Sequence, residues 1–431
     1  MTQADSRPET ATPPGYSPLT PETLPSRLGA IAAVTDRLGS DTAAWQVAEV
    51  GDGNLNLVFI VTAPSGRLVV KQALPYVRLV GDSWPLPLDR AWFEYNALIR
   101  HAARDPGRVP AVHHFDREQA LIVMECLSPH VILRKSFIAG TELPRLGSDI
   151  GRFMARTLFR GSHLSMPAPE ARRDLALFSH NIALSDITEN LVFTDPYFDA
   201  PMNRHTPGLE PHIAPLRADR AMRVAAQQMK HAFVCKAETL CHGDLHSGSI
   251  MVTAEDTRVI DPEFAVYGPF GFDVGMLLAN FLMAFFAQSG HEAHPGARDA
   301  YRRWLAGLTR QTWEVFAADF AALWRTERQG ILYASSLYED QEDGLGAEAA
   351  LAALMRGIWS DALGFCGVEM HRRVLGLAHI EELESIGDEG RRVQAEARVL
   401  ALGRLLAVGR HDIPDIGTVL ALAERIETED I

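Results

Sequence analysis

Two short acidic motifs mark the part of the sequence best suited to catalysis. The first, HGDLH, spans residues 242–246, and the second, Asp-Pro-Glu, spans residues 261–263. Short apolar runs on either side of a turn-like stretch at 253–257 predict two strands joined as a hairpin. A hairpin would bring Asp244 and Asp261 to the same end of a small sheet.

Carboxylates placed in this way suit phosphoryl transfer. That reaction needs one carboxylate to orient and deprotonate the attacking hydroxyl, and others to hold the magnesium ions that neutralise the phosphates. Asp244 is the candidate for the first task, and Asp261 with Glu263 for the second. The alternative is that both aspartates are ordinary turn residues, which a single Asp-Leu or Asp-Pro pair would favour.

A lysine inside an apolar strand gives a second signal. Lys71 lies in the run RLVVKQA at 67–73, where a charge is costly unless it has a partner. In kinase-like lobes such a lysine holds nucleotide phosphates and pairs with a glutamate of the following helix. A helix predicted over 88–103 offers Glu94, which is equally compatible with a solvated position. The glycine-rich turn before this strand, which includes Asn54, would let backbone amides approach phosphates.

Two further stretches of the strand-rich part are candidates for ligand contact. The loop at 79–87 holds Trp84 between glycine and prolines, either as a packing anchor or as a lid over a small ligand. A buried strand at 120–127 ends in a polar step. Its last three residues form a candidate hinge whose backbone would pair with an adenine edge, and they are Glu125, Cys126 and Leu127.

Composition excludes some classes of protein. The 431 residues carry 41 Lys and Arg against 55 Asp and Glu, a formal net charge of −14, whereas nucleic-acid binding calls for a basic face. We therefore expect neither nucleic acid nor a membrane surface as partner. The longest apolar segment, 274–287, is too short to span a bilayer and reads as a buried helix.

The cysteines and the N-terminus point to the cytoplasm. The four cysteines form no CxxC pair and have no histidine at metal spacing, so we expect reduced thiols and no structural zinc. No basic stretch followed by an apolar run opens the chain, so no secretory signal is predicted. Residues 1–26 are rich in Pro, Thr and Ser and are predicted to be disordered, with a helix beginning near Pro25.

The order of elements predicts an α+β, two-lobed architecture. Residues 27–127 form a β-rich N-lobe, and residues 128–431 form a larger, mostly helical C-lobe whose strands are confined to the hairpin at 250–264. The helices of this second part are predicted at 144–165, 214–236, 272–287, 296–326, 345–380, 390–409 and 415–427. The helix at 345–380 carries Arg372 and Arg373, which either serve the surface or meet phosphate or sugar oxygens.

The motifs together resemble those of one kinase family. HGDLH followed by D-x-E is similar to the aminoglycoside phosphotransferase and choline kinase branch of the protein-kinase-like fold. With VGDGNLNLVFIV, VKQALPYVRLVGDSWPL, VIDPEFAVYGPFGFDVG and MHRRVLGLAH, the sequence resembles the 5-methylthioribose kinases from about residue 47 to about residue 380. The resemblance implies transfer of the ATP γ-phosphate to the 1-hydroxyl of 5-methylthioribose, a step of methionine salvage, in a cytoplasmic homodimer.

The resemblance also implies roles for individual residues. Asp244 would be the catalytic base and substrate anchor. The nucleotide contacts would come from Asn54, Lys71, the hinge residues Glu125, Cys126 and Leu127, and the Asp261-Pro262-Glu263 motif. Asp261 and Glu263 would also bind Mg²⁺. The substrate contacts would come from Trp84 and from Arg372 or Arg373. Asp273, in GFDVG, is expected to support the catalytic loop through backbone hydrogen bonds rather than to touch substrate.

One departure from the wider superfamily affects the metal. Five positions after the catalytic aspartate, where the superfamily places a metal-binding asparagine, this chain has Ser249. Serine is a poorer magnesium ligand, so Glu263 would take more of the metal. Two alternatives stay open: a kinase of the same fold for choline, homoserine or an aminoglycoside, and a non-catalytic nucleotide-binding regulator.

Overall fold

The computed structural model describes residues 14–51, 55–77 and 81–429. The chain divides into two compact units, the first ending at Ser128 and the second beginning at Pro129. Within the described residues, the first unit carries most of the strands and the second most of the helices. This is the β-rich and helical division that the α+β prediction requires.

The strands, in chain order, are β1 (Gln46–Glu49), β2 (Asn56–Ala63), β3 (Gly66–Ala73), β4 (Tyr76–Val77), β5 (Gly81–Pro85), β6 (Val112–Asp116), β7 (Leu121–Glu125), β8 (Val131–Ile132), β9 (Thr239–Cys241), β10 (Ile250–Val252), β11 (Thr257–Val259) and β12 (Val266–Gly268). The helices are α1 (Leu24–Leu28), α2 (Ala32–Leu38), α3 (Arg90–Arg104), α4 (Leu133–Ala139), α5 (Leu146–Arg160), α6 (Ala168–Phe178), α7 (Ile182–Leu191), α8 (Glu210–Ala218), α9 (Arg220–Cys235), α10 (Gly271–His291), α11 (Asp299–Glu327), α12 (Gly344–Leu375), α13 (Glu381–Glu384), α14 (Glu389–Gly409) and α15 (Ile416–Thr428).

The first unit is built on an antiparallel sheet. Among the described residues it has five strands in the order β1-β2-β3-β7-β6. Lys71 of β3 stands opposite Val58 on one neighbour and Ile122 on the other. Phe59 and Val70 are fully buried in the core on one face of the sheet. The central strand therefore fixes where the lysine side chain leaves the sheet.

Residues 14–26 differ from the predicted disordered segment. The Tyr16 hydroxyl donates to the Ala73 carbonyl at 2.7 Å, and the Leu19 amide donates to Gln72 Oε1 at 2.7 Å. Leu19 and Leu24 are buried in the same core as the sheet. Isolated leucines in a Pro- and Thr-rich stretch give no periodic signal, so composition alone missed them. Residues 1–13 lie outside the described part of the chain.

The predicted loop at 79–87 is partly a strand. Residues 81–85 form β5, which pairs antiparallel with β4 and carries a register irregularity. Trp84 is half-buried at the end of this two-stranded ribbon. The glycine and prolines that predicted a loop are compatible with a short edge strand of this kind.

The second unit confirms the hairpin and adds strands that the sequence did not predict. β10 and β11 pair antiparallel with Ile250 opposite Val259. The prediction that strands are confined to this hairpin is wrong, because β8 adds to its edge and β9 pairs with β12. These additions are two or three residues long, too short to give a periodic pattern in the sequence.

Most long helices lie close to their predicted positions, with local differences. The stretch predicted as one helix at 214–236 is two, because Asp219 ends α8 and caps α9 by accepting hydrogen bonds from the amides of Ala221 and Met222. α12 ends at Leu375 before Gly376, short of the predicted residue 380. α6 and α7 were not predicted.

Among the described helices, α10 and α12 are long and apolar enough to cross a membrane by length and composition alone. The apolar window of α10 is 100% buried and that of α12 is 56% buried. Among the described residues, α10 packs on α11, α12 and α14. α10 is therefore a core helix, as its apolar run predicted.

Glycines let α10, α12 and α14 approach closely. A Cβ on Gly275 of α10 would lie 2.4 Å from the Ala362 carbonyl oxygen of α12. A Cβ on Gly367 of α12 would lie 2.3 Å from the Gly403 carbonyl oxygen of α14. The backbone of α12, which carries the arginine pair, is thus fixed between two neighbouring helices.

We expect Gly367→Ala to destabilise the protein by about 1–3 kcal/mol, because the added methyl forces two helix backbones apart. Gly357→Ala is the matched control on the same helix, since a Cβ there meets nothing within 4 Å. That control should raise stability by about 0.5–1 kcal/mol. Thermal and urea unfolding of both variants measures the difference. Equal effects would contradict the close-packing account.

Candidate active site

The HGDLH loop, the candidate catalytic loop, is held by the first turn of α10. The Asp273 carboxylate accepts hydrogen bonds from the His242 amide at 2.6 Å and the Gly243 amide at 3.1 Å. Burial raises the pKa of Asp273, while these amide hydrogen bonds act to lower it. The interpretation of Asp273 as a support of the loop is confirmed.

Gly243 is the one position of the loop that only glycine fits. Its φ is +90°, and a Cβ there would lie 2.0 Å from the Phe264 carbonyl oxygen. The backbone that leads into Asp244 therefore crosses directly over the chain that follows Glu263. The glycine of HGD is a steric requirement of this crossing.

His242 joins the two acidic motifs. The Asp244 amide donates to its Nδ1 at 3.3 Å, so Nε2 carries the proton and donates to the Ile260 carbonyl at 2.9 Å. The Ile260 amide in turn donates to the Ser249 carbonyl at 2.9 Å. These contacts bring the two motifs to the same end of the hairpin, as the sequence predicted.

Asp244 is surrounded by donors. Its Oδ1 accepts from Arg372 Nη1 at 3.3 Å and from Arg373 Nη2 at 3.1 Å. His246 Nε2 lies 3.4 Å from Oδ2. The structure thus brings together Asp244 and the arginine pair, which lie 128 and 129 positions later in the sequence.

The charges around Asp244 keep its carboxylate ionised. Burial alone would raise the pKa of Asp244, but His246, Arg372 and Arg373 together hold that pKa well below its usual range. The side chain keeps 18% of its surface exposed. Asp244 is therefore an accessible anion and a weak base, suited to orienting a hydroxyl.

His246 is a neutral donor toward Asp244. The Gly248 amide donates to its Nδ1 at 2.9 Å, which leaves the proton on Nε2, the atom that faces Asp244. Burial lowers the pKa of His246, against the pull of the Asp244 charge. The second histidine of HGDLH thus fixes one carboxylate oxygen of Asp244.

Ser249 supports the loop from within. Its hydroxyl donates to the Asp244 carbonyl at 3.1 Å, and the residue is 2% exposed. The hydroxyl proton is therefore committed to the loop backbone. The expectation that the metal geometry of the wider superfamily does not transfer unchanged stays a prediction.

Asp261 and Glu263 form a pair of neighbouring acids. One carboxylate oxygen of each lies within 4.8 Å of the other. Asp261 has φ +68°, a left-handed conformation that is uncommon before proline and is typical of strained functional positions. Asn181, at the start of α7, donates its Nδ2 to the Glu263 carbonyl at 2.9 Å and to the Ala265 carbonyl at 3.1 Å. The Asp-Pro-Glu turn is thereby fixed.

In the first unit, the predicted lysine–glutamate pair is confirmed. Lys71 Nζ lies 2.7 Å from Glu94 Oε2, and both side chains are buried. Two opposite charges at this distance stabilise each other strongly in a low-dielectric environment. Position 94 is therefore not the solvated helix residue that was the alternative.

The other predicted nucleotide and substrate residues of the first unit are the hinge residues, Asn54 and Trp84. The Glu125 carboxylate accepts from the Ala111 amide at 3.1 Å, so the side chain is tied to the sheet edge. Cys126 is half-buried and Leu127 is buried, while Asn54 lies outside the described residues. Trp84 lies on β5 of the first unit.

Sequence reasoning missed Glu369. This residue is 0% exposed and accepts hydrogen bonds from both Arg372 and Arg373. The spacing of three and four positions, which places side chains on one face of a helix, was a usable signal. Asn181 and the role of His246 were also missed, because both act through contacts that local patterns do not encode.

Comparison with known proteins gives a consistent family. The model of the phosphotransferase enzyme family matches residues 46–317. Methylthioribose kinase 1 of Oryza sativa subsp. japonica is 40% identical over 419 residues, which cover 96% of this chain and 97% of the rice protein. A methylthioribose kinase of Escherichia coli is 42% identical over 415 residues, covering 96% of this chain and 98% of its own length.

A third relative, the methylthioribose kinase of Pectobacterium atrosepticum, is 40% identical over 375 residues, covering 86% of this chain and 90% of that protein. The chain therefore belongs to the methylthioribose kinase family of phosphotransferases.

Proposed function

We propose that this protein is an ATP-dependent kinase that phosphorylates the 1-hydroxyl of 5-methylthioribose, giving 5-methylthioribose 1-phosphate for methionine salvage. Curated methylthioribose kinases align with nearly all of the chain. The observation that carries the proposal is the Asp244 carboxylate between Arg372 and Arg373, an anion for a hydroxyl beside cations for sugar or phosphate oxygens.

Asp244 orients the sugar hydroxyl and accepts its proton. Its low pKa makes it a poor base toward a free hydroxyl. In a loose transition state the attacking hydroxyl loses its proton late, when bonding to phosphorus has already made it acidic. Positioning and charge neutralisation therefore supply most of the rate, and a weak base is sufficient.

The arginine pair recognises the acceptor. Two arginine side chains, 7% and 5% exposed, present planar guanidinium donors to oxygen atoms of the sugar or of the transferred phosphoryl group. Such a pair disfavours a cationic acceptor such as choline, whose sites use aromatics and carboxylates. Trp84 is the proposed lid residue over the sugar.

Nucleotide contacts come from Lys71, which Glu94 orients toward the α- and β-phosphates. Asn54 and the hinge at Glu125, Cys126 and Leu127 complete the proposed nucleotide site.

Asp261 and Glu263 fit a magnesium site. They offer the hard carboxylate oxygens that Mg²⁺ prefers, and those oxygens are close enough for one ion to bind both. When bound, the ion would neutralise charge on the ATP phosphates. The strained turn at Asp261 and the Asn181 hydrogen bonds hold the two acids in place.

We also propose a cytoplasmic homodimer. All four cysteines, Cys126, Cys235, Cys241 and Cys366, are free, in keeping with a reducing compartment. Sedimentation equilibrium gives the oligomeric state directly, and a monomer at micromolar concentration would refute the dimer.

The acceptor is tested by ADP release with Mg-ATP and a panel of 5-methylthioribose, ribose, choline, homoserine and kanamycin. We expect turnover on 5-methylthioribose alone. Asp244→Ala should lower the rate by about 100-fold or more, because the hydroxyl loses its orienting anion. Calorimetry should show that this variant still binds ATP.

Residual activity above about a tenth of wild type in Asp244→Ala would reject the role of Asp244. Turnover on another acceptor would move the substrate assignment to a neighbouring family. No turnover on any acceptor of the panel, with ATP still bound, would support the alternative of a non-catalytic nucleotide-binding regulator.

Nucleotide contact by Lys71 is tested by Lys71→Met and Glu94→Gln. We expect each to raise the KM for ATP by about 10-fold or more, because the lysine is removed or loses its orienting partner. The KM for 5-methylthioribose, measured at saturating ATP, should change little. Equal changes in both constants would show a general loss of structure.

Support of the loop by Asp273 is tested with Asp273→Asn. The amide places N–H against one of the two backbone donors, so we expect a loss of about 1–3 kcal/mol of stability together with a lower kcat. Asp415→Asn at the start of α15 is the control, because Asn caps a helix as well as Asp. Unchanged melting of Asp273→Asn with lost substrate binding would instead place Asp273 in contact with substrate.

A further inference from the structure

Glu369 is a buried carboxylate that lies one helical turn before the arginine pair. Its Oε1 accepts from Arg373 Nε at 2.5 Å, and its Oε2 accepts from Arg372 Nη1 at 3.1 Å. The residue is 0% exposed on α12. Both of its oxygens are therefore committed to the two guanidinium groups, and neither reaches solvent.

The charge balance of the site depends on this residue. Arg372 and Arg373 are both buried and both point at the same oxygen of Asp244. One carboxylate cannot neutralise two guanidinium groups, and an uncompensated buried charge is strongly destabilising. Glu369 supplies the second negative charge, and the neutral His246 adds none. The four ionised side chains then sum to zero.

The two arginines donate hydrogen bonds to both Glu369 and Asp244, partly through different nitrogen atoms. Glu369 takes Nε of Arg373, which leaves Nη2 for Asp244. Arg372 Nη1 is shared, at 3.1 Å from Glu369 Oε2 and 3.3 Å from Asp244 Oδ1. When a sugar hydroxyl competes for Asp244, both arginines therefore retain a carboxylate partner.

We infer that Glu369 is a positioning residue for phosphoryl transfer. It holds the arginine pair from the helix side, so that these side chains can exchange contacts with Asp244 for contacts with the acceptor without losing their charge compensation. This inference rests on the proposed function, because it concerns the acceptor side of the same site. Glu369 itself touches neither substrate nor nucleotide.

The test compares Glu369→Gln with Glu427→Gln. Glu427 on α15 is a matched control, since its Oε1 also forms ion pairs with two arginines, with Arg302 at 2.7 Å and Arg398 at 3.3 Å, and its side chain is only 12% exposed. No described contact links these three residues to Asp244. Both variants lose one buried charge that compensates two arginines, but only one loses it at the site.

We expect Glu369→Gln to lower kcat/KM for 5-methylthioribose by about 100-fold, because displaced arginines no longer align the acceptor. The KM for ATP should stay within about threefold of wild type. Glu427→Gln should lower the melting temperature without changing either sugar constant. In the background of Arg373→Ala, Glu369→Gln should cost much less than alone, because it acts through that arginine.

Two outcomes overturn the inference. One is a kcat/KM for the sugar in Glu369→Gln equal to that of Glu427→Gln, and the other is a full additional loss in the Arg373→Ala background. If Glu369→Gln does not fold, Glu369→Asp keeps the charge but shortens its reach, and the same selective loss is expected. A wild type inactive on 5-methylthioribose but active on another acceptor of the panel would refute the proposed function alone, and the same comparison then runs on that acceptor.

Discussion

The candidate active site of the second unit is built on one buried ionic cluster, in which Asp244 and Glu369 share the guanidinium groups of Arg372 and Arg373. The cluster joins the HGDLH loop to a helix more than a hundred residues later. Removing these charges from water is costly, and only paired charges with satisfied hydrogen bonds are tolerated in such a place. A cluster of this kind contributes little net stability for its cost. Its presence in the core is explained by the chemistry it makes available.

The surrounding helices provide the rigidity that this cluster needs. α10 fixes the loop from one side through Asp273, and α12 presents the arginine pair from the other. The two helices meet at Gly275, where a side chain would collide with the Ala362 carbonyl. The distance between Asp244 and its arginines is therefore set by backbone contact between helices. Contact between helix backbones allows less variation in this distance than contact between flexible side chains would.

Local and periodic signals made much of this arrangement predictable from the sequence. The hairpin follows from apolar runs at short spacing, and the lysine–glutamate pair follows from a charge in an apolar run, whereas the support by Asp273 was expected together with the family resemblance. Glu369 was within reach of the same reasoning, because it lies three and four positions before the two arginines on one face of α12. The contacts of Asn181 with the Asp-Pro-Glu turn, and the packing of residues 14–26 on the sheet, join segments distant in sequence. One chain without an alignment carries no signal for such contacts.

The low pKa of Asp244 and the zero net charge of the cluster both depend on the arginine pair. Together they explain how Asp244 can serve an acceptor alcohol. Two arginines and a neutral histidine keep Asp244 ionised, so it is ready to accept a hydrogen bond from an alcohol without first losing a proton. If those arginines had no other partner, Asp244 could leave their ion pair only at a high cost in free energy. Glu369 lowers that cost, because it gives the guanidinium groups a second carboxylate partner when Asp244 turns to the acceptor. An accessible, ionised and only loosely held carboxylate beside two cations is what an acceptor alcohol and a transferred phosphoryl group require at the same moment.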